Sequence, residues 1–201
     1  MLLLDKEYSR RSFLKLAGGS VVLLGGIGMA ASVLPAEAQL RPPGGQDAAH
    51  FLAACLRCDR CRSACPRGAI GLAHISAGLR HVRTPVMDFH RGWCDFCGKC
   101  IEACPTGALQ QLPRAELKLG LAVVQRERCL AWESGGCTVC LQVCPRQAIA
   151  LDERKRPVVR AELCDGCGLC ERECPSLVLR SYSGSEVRGI VVEPQEGGGS
   201  R

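Results

Sequence analysis

The sequence predicts an α+β fold: two modules of similar plan, each built from short helices and small antiparallel hairpins. Three observations lead there. Sixteen cysteines fall into four groups of four, and every group ends in Cys-Pro. The first cysteines of the groups stand at 55, 94, 129 and 164, steps of 39, 35 and 35 residues, which is an internal repeat. Between the groups lie short apolar runs broken by polar turns, the pattern of hairpins.

The groups are Cys55, Cys58, Cys61 and Cys65 before Pro66; Cys94, Cys97, Cys100 and Cys104 before Pro105; Cys129, Cys137, Cys140 and Cys144 before Pro145; and Cys164, Cys167, Cys170 and Cys174 before Pro175. Three of them read C-x2-C-x2-C-x3-C-P, the spacing with which bacterial ferredoxins hold [4Fe-4S] cubanes. Three thiolates two residues apart wrap a loop around one cluster. The fourth, three residues on, is expected to start a helix, and in two-cluster ferredoxins it reaches the other cluster. The proline that follows has a fixed φ and no N–H, which suits helix entry. All sixteen cysteines are therefore expected iron ligands. At four per cubane they imply four [4Fe-4S] clusters, two in each ferredoxin-like module. The spacing does not choose between sequential pairing of the motifs (first with second, third with fourth) and nested pairing (first with fourth, second with third).

Other uses of sixteen thiols fit less well. Disulfides between Cys-x2-Cys neighbours would be strained, because bridging has strict Cα and Cβ geometry. Structural zinc pairs two separated knuckles rather than repeating a triple followed by x3-Cys-Pro. No Cys-x2-Cys precedes a histidine, so c-type haem attachment is excluded. The usual cysteine triple of radical S-adenosylmethionine chemistry, Cys-x3-Cys-x2-Cys, is absent.

Read in order, residues 1–38 form an address. Ser9, Arg10, Arg11, Ser12, Phe13, Leu14 and Lys15 match a twin-arginine signal. An uncharged, glycine-diluted stretch from Leu16 to Ala36 follows, and Ala36-Glu37-Ala38 offers a cleavage site. An uncleaved signal would instead tether the protein to the membrane. Export of an already folded chain would bring every thiol to the periplasm occupied. Residues 39–54 read as linker and lead-in, with Pro42-Pro43-Gly44-Gly45 in Gln39 to Gln46. The four-cluster domain spans 55–180, with motifs at 55–65, 94–104, 129–144 and 164–174. Three Cys-Pro pairs are followed by a small apolar tag, Gly68 to Ile70, Gly107 to Leu109 and Gln147 to Ile149, each fitting a helical turn leading into a strand. The fourth tag, Ser176 to Val178, is irregular. Ala148 to Leu151, a turn at Asp152 to Arg156, and Pro157 to Val159 form the clearest hairpin. Leu117 to Val124 is another candidate. The longer link from Leu72 to Arg91 carries His74, His81 and His90; these and His50 are expected at the surface or in turns. Residues 181–201 read as an extension ending in a disordered glycine-rich tail from Glu196.

Composition agrees with a metal-dependent core. Eight aromatics in 201 residues is a thin supply, and 23 glycines with 11 prolines mean many tight turns. The clusters are expected to replace apolar burial, leaving an apoprotein that is unfolded or aggregates. The formal charge of +6 counts cysteine as neutral; anionic clusters would reverse it, so the cations read as compensation rather than nucleic-acid affinity.

These features together resemble the MauM/NapG family of ferredoxin-type proteins, associated with methylamine utilisation and periplasmic nitrate reductase. The resemblance rests on Arg10-Arg11, the three regular motifs, and the third motif with its seven-residue gap from Cys129 to Cys137. It implies electron transfer in the periplasm, beside a membrane iron–sulfur partner that draws on quinol, toward a periplasmic reductase or dehydrogenase. The rival reading is an iron–sulfur subunit of a membrane-associated molybdoenzyme complex; a private export signal favours a free carrier. No catalytic residue is expected, because no open ligand position, spare nucleophile or phosphate loop is present.

Charge differs between the loops. Arg57, Arg60, Arg62 and Arg67 surround the first motif, against Asp59; Asp165, Glu171 and Glu173 accompany the fourth, against Arg172. Positive charge favours the reduced cluster, so the first is expected at higher potential than the fourth. Trp132, inside the wide gap, is expected to pack over its own cluster rather than to dock a partner.

Overall fold

The computed structural model describes residues 38–176 and 187–195. The chain divides after Glu37, and all described residues lie in the second unit, Ala38–Arg201; the expected signal, except for Ala38, lies outside the described residues. Its elements are short. In chain order they are α1 (Ala48–Ala54), α2 (Arg60–Ala64), β1 (Ile70–Leu72), a 3-10 turn (Ile75–Ala77), β2 (Pro85–Met87), α3 (Lys99–Glu102), β3 (Leu121–Val124), α4 (Leu130–Glu133), α5 (Val139–Val143), β4 (Ile149–Leu151), β5 (Pro157–Val159), α6 (Leu169–Arg172) and β6 (Ile190–Glu193).

Three antiparallel pairs organise them. β1 pairs with β2, Ile70 opposite Met87, and β4 pairs with β5, Ile149 opposite Val159. The second pair is the hairpin expected from sequence. Its turn is held by Asp152, whose side chain accepts the amides of Arg154 and Arg156, both at 2.9 Å. The third pair is not local. β3 lies against β6, Leu121 opposite Glu193 and Val124 opposite Ile190. The candidate hairpin at Leu117 to Val124 is thus one strand of a long-range ladder, and its Leu119 amide bonds Asp165 O at 2.9 Å. The extension assigned to 181–201 contributes that partner strand, so the folded unit continues past residue 180.

It also begins before residue 55. Pro42 to Gly45, read as linker, are buried. Gln110 N–H donates to Gly44 O at 2.9 Å and Met87 N–H to Leu40 O at 2.7 Å. A Cβ on Gly44, which has φ +81°, would lie 2.2 Å from Gln110 O, so only glycine allows this approach. Asp47 then caps α1, accepting the amides of Ala49 and His50 at 3.0 and 3.1 Å.

The helix expectation at the fourth cysteine is reversed. Cys65 and Cys144 terminate α2 and α5 rather than starting helices, with ψ of 110° each. The residue before proline is pushed out of the helical region, so Cys-Pro is a stop signal here. Two of the three tags do lead into strands, β1 and β4; Gly107 to Leu109 does not.

One apolar core runs through the unit, from Phe51, Ile70, Met87, Phe89 and Ile101 to Ile149, Ile190 and Val192, with cysteines of all four motifs packed in or against it. Among the described residues no helix is long and apolar enough to cross a membrane.

Candidate metal centre: four cysteine-walled cavities

Three of the four motifs, the first, second and fourth, bend their cysteines inward with the same backbone device. Two residues after the first cysteine, and one after the second, the chain takes positive φ: Arg57 and Asp59, Phe96 and Gly98, Gly166 and Gly168. Alternation of this kind turns amides toward a common centre and forms an anion-binding concavity. Amides do point at sulfur: Phe96 N–H lies 3.4 Å from Cys94 Sγ, and Ala148 N–H 3.3 Å from Cys144 Sγ.

The sixteen cysteines wall four cavities, four apiece. Cage I has Cys55, Cys58, Cys61 and Cys104. Cage II has Cys94, Cys97, Cys100 and Cys65. Cage III has Cys129, Cys137, Cys140 and Cys174. Cage IV has Cys164, Cys167, Cys170 and Cys144. The space free of atoms at each, open solvent at its mouth included, is about 320 to 350 Å³. Three walls come from one motif and the fourth from its neighbour in sequence, first with second and third with fourth. Among the described residues no group of His, Cys, Asp or Glu is drawn together around a single ion. Four thiols set around a larger void are the donor set of a cubane rather than of zinc.

Several of the thiols are costly to ionise without a metal. Burial pushes Cys61 up to about 11 and Cys94, Cys100, Cys140 and Cys167 up to about 12, with neighbouring thiolates adding to the rise. Cys170 is raised further for the same reasons. Cys104 moves the other way: burial acts to raise it, but the amides of Leu109, Thr106 and Ala108 and the Thr106 hydroxyl outweigh that and hold it below the ordinary value. Binding iron would release the protons and supply the compensating charge.

The two pairs of cages meet through the second and fourth motifs. Cys94 N–H donates to Cys167 O at 2.8 Å. Arg114 stacks on Phe96 at 3.7 Å and pairs with Asp165 at 2.7 Å, and Arg172 bonds Arg91 O. The Phe89 ring fills the space at Gly168, where a Cβ would come within 2.0 Å of it. Nothing local in the sequence marks this junction, whose partners stand about 50 to 80 residues apart.

Several expected side chains land elsewhere. His81 sits in a turn as expected but is buried; burial, then the nearby Arg41, Arg57 and Arg80, lower its pKa. His50 Nε2 is 3.0 Å from Gly107 O, and His90 lies 3.9 Å from Glu171. None of the four cages is lined by a histidine. Trp132 does not cover its cage: Leu130 does, while the indole is held between Arg156 at 4.1 Å and Arg126 at 4.6 Å. Glu171 is buried, accepts Val192 N–H at 2.6 Å, and is raised by burial to about 7. Asp165 is matched by Arg114 and by Arg146 at 3.7 Å.

The comparisons agree with this geometry. A model described as a 4Fe-4S dicluster domain matches residues 54–108 and 135–178. The second match starts after Cys129, yet Cys129 walls the same cage as Cys137; the seven-residue gap looped out by α4 accounts for the difference. The MauM ferredoxin-type protein of Paracoccus denitrificans is 38% identical over 77% of this chain and 76% of its own length. The MauM protein of Methylorubrum extorquens is 38% identical over 84% and 86%. The ferredoxin-type protein NapG of Escherichia coli is 32% identical over 84% and 82%. With its repeated cysteine motifs and four cysteine-walled cages, the chain belongs to the MauM/NapG family of ferredoxin-type proteins.

Proposed function

We propose that the chain is a periplasmic electron carrier whose sixteen cysteines hold four [4Fe-4S] clusters in two sequentially paired modules. The observation that carries this reading is the complete partition of the thiols into four cavities with none left over. A bound [4Fe-4S] cluster supplies a one-electron couple. The residues do the rest. Cysteines fix position, buried apolar neighbours exclude water, and backbone amides such as those of Phe96 and Ala148 donate to sulfur, which tunes potential. The junction residues Cys94, Phe96, Arg114 and Cys167 set cages II and IV side by side, so the cages stand in the order I, II, IV, III.

The signal at Arg10-Arg11, which lies outside the described residues, supports export in the folded state. The family supports a membrane iron–sulfur partner drawing on quinol at one end and a periplasmic reductase or dehydrogenase at the other.

Protein matured in the cell and purified without oxygen tests this. About sixteen irons and sixteen sulfides per chain are expected, with several reversible one-electron signals in a titration followed by electron paramagnetic resonance. Stoichiometric zinc, or paired half-cystines, would refute the reading. Arg10→Lys with Arg11→Lys should leave the protein in the cytoplasm.

A further inference from the structure

The link between β1 and β2 spans residues 73–84, whereas the equivalent turn between β4 and β5 needs only residues 152–156. The longer link is anchored at both sides of the first motif. Arg57 Nη2 donates to Arg80 O at 2.9 Å, and Arg83 approaches Asp59 at 3.7 Å. Next to these anchors in sequence stand Leu56, beside Arg57, and Leu79, beside Arg80; with Ile75 in the 3-10 turn of the same link they are the three most exposed large apolar side chains of the described residues, at 69%, 68% and 74%. Cys58, a wall of cage I, is exposed beside them, and Leu56, Arg57 and Arg60 form the rim of that cage.

The segment that carries this face is strongly one-signed, although Arg67 within it is taken up by Asp95. From residue 50 to 87 the chain has six arginines and one acid, Asp59, which Arg83 already faces. Arg57, Arg60 and Arg80 make no ion pair with the described residues. An apolar centre inside a positive rim is the complement of an apolar patch inside a negative rim.

We infer that this face, Leu56, Ile75 and Leu79 ringed by Arg57, Arg60 and Arg80, is a docking surface for an acidic redox protein at the cage I end. The inference rests on the electron-carrier reading. A second copy of the chain is disfavoured, since it would set arginine against arginine. An anionic lipid surface would satisfy the charge, but it brings no redox centre to the exposed Cys58.

The test uses the intact, iron-loaded chain and a purified acidic flavodoxin as probe, with affinity measured against salt. Iron content and resonance spectra are recorded first for every variant; native protein without iron would sink the carrier reading, separately from the docking one. With iron intact, Arg60→Glu with Arg80→Glu should weaken flavodoxin binding about tenfold or more at low salt and flatten its salt dependence. Ile75→Ser with Leu79→Ser should weaken it about three- to tenfold and leave the salt slope unchanged. Arg154→Glu, on the short turn of the other module, should change nothing. Equal binding by native and Arg60→Glu/Arg80→Glu proteins would overturn the inference. So would native protein that ignores flavodoxin but sediments with phosphatidylglycerol vesicles.

Discussion

The two halves of the folded unit share one cysteine grammar and close differently. The second half is sealed by β3 against β6, four residue pairs joining sequence on either side of motifs three and four. Among the described residues the first half has no such ladder. At the equivalent place it has the Gly44–Gln110 bond, buried prolines and α1 packed through Phe51. Conversely, the first half carries the long link at 73–84, and the second the looped gap with Trp132. The ligand loops are what the fold holds constant, and the periphery is where it varies. Metal coordination would therefore do most of the work of folding in both halves, and more of it in the first.

Iron removal should have the largest effect. Chelation is expected to abolish cooperative structure, with the first half, protected by fewer strand bonds, losing amide protection earlier than β3 and β6. Hydrogen exchange during chelation reads this out; equal loss in both halves would erase the contrast. Next comes the ladder itself. Ile190, 2% exposed, lies opposite Val124 and beside cage III, so Ile190→Ala should cost about 2–5 kcal/mol in anaerobic denaturation. Destabilisation under 1 kcal/mol would mean that the ladder is not the seal.

Gly168→Ala should follow closely. Its φ of +81° disfavours a side chain, and the new Cβ would meet Phe89, forcing apart the junction of the halves. Gly107→Ala is the control: φ is +67° but the space is open, so only the conformational cost of about 1 kcal/mol is expected. If both cost the same, Phe89 does not hold the junction.

The smallest effect concerns potential. Exposed Arg57 and Arg60 border cage I, but the acids of the fourth motif are muted: Asp165 faces two guanidinium groups, and burial raises Glu171. The expected gap between cages I and IV therefore comes mainly from the first motif. Arg57→Gln with Arg60→Gln should lower the cage I potential, while Glu173→Gln moves cage IV less; a redox titration showing the opposite would discard charge as the cause.

The candidate site was legible in the sequence because its chemistry is local: three ligands and their turn residues fall within about ten positions. The β4–β5 hairpin was legible for the same reason, since Asp152 organises its own turn. What stayed hidden was long-range. No residue near Leu121 announces a partner at Glu193, and the motif spacing is equally compatible with nested and sequential pairing. Pro42 to Gly45 misled because a buried tight approach and an exposed linker use the same residues. Cys-Pro misled because proline can follow a helix end as readily as open a helix.

The crossed fourth ligand is tested most directly by comparing single substitutions in the resonance spectrum of anaerobic, reduced protein. Cys174→Ser and Cys137→Ser are expected to perturb the same cluster signal and leave untouched the one perturbed by Cys164→Ser. Perturbation of one common signal by Cys174→Ser and Cys164→Ser would show that the fourth cysteine stays with its own motif, contradicting the cage assignment.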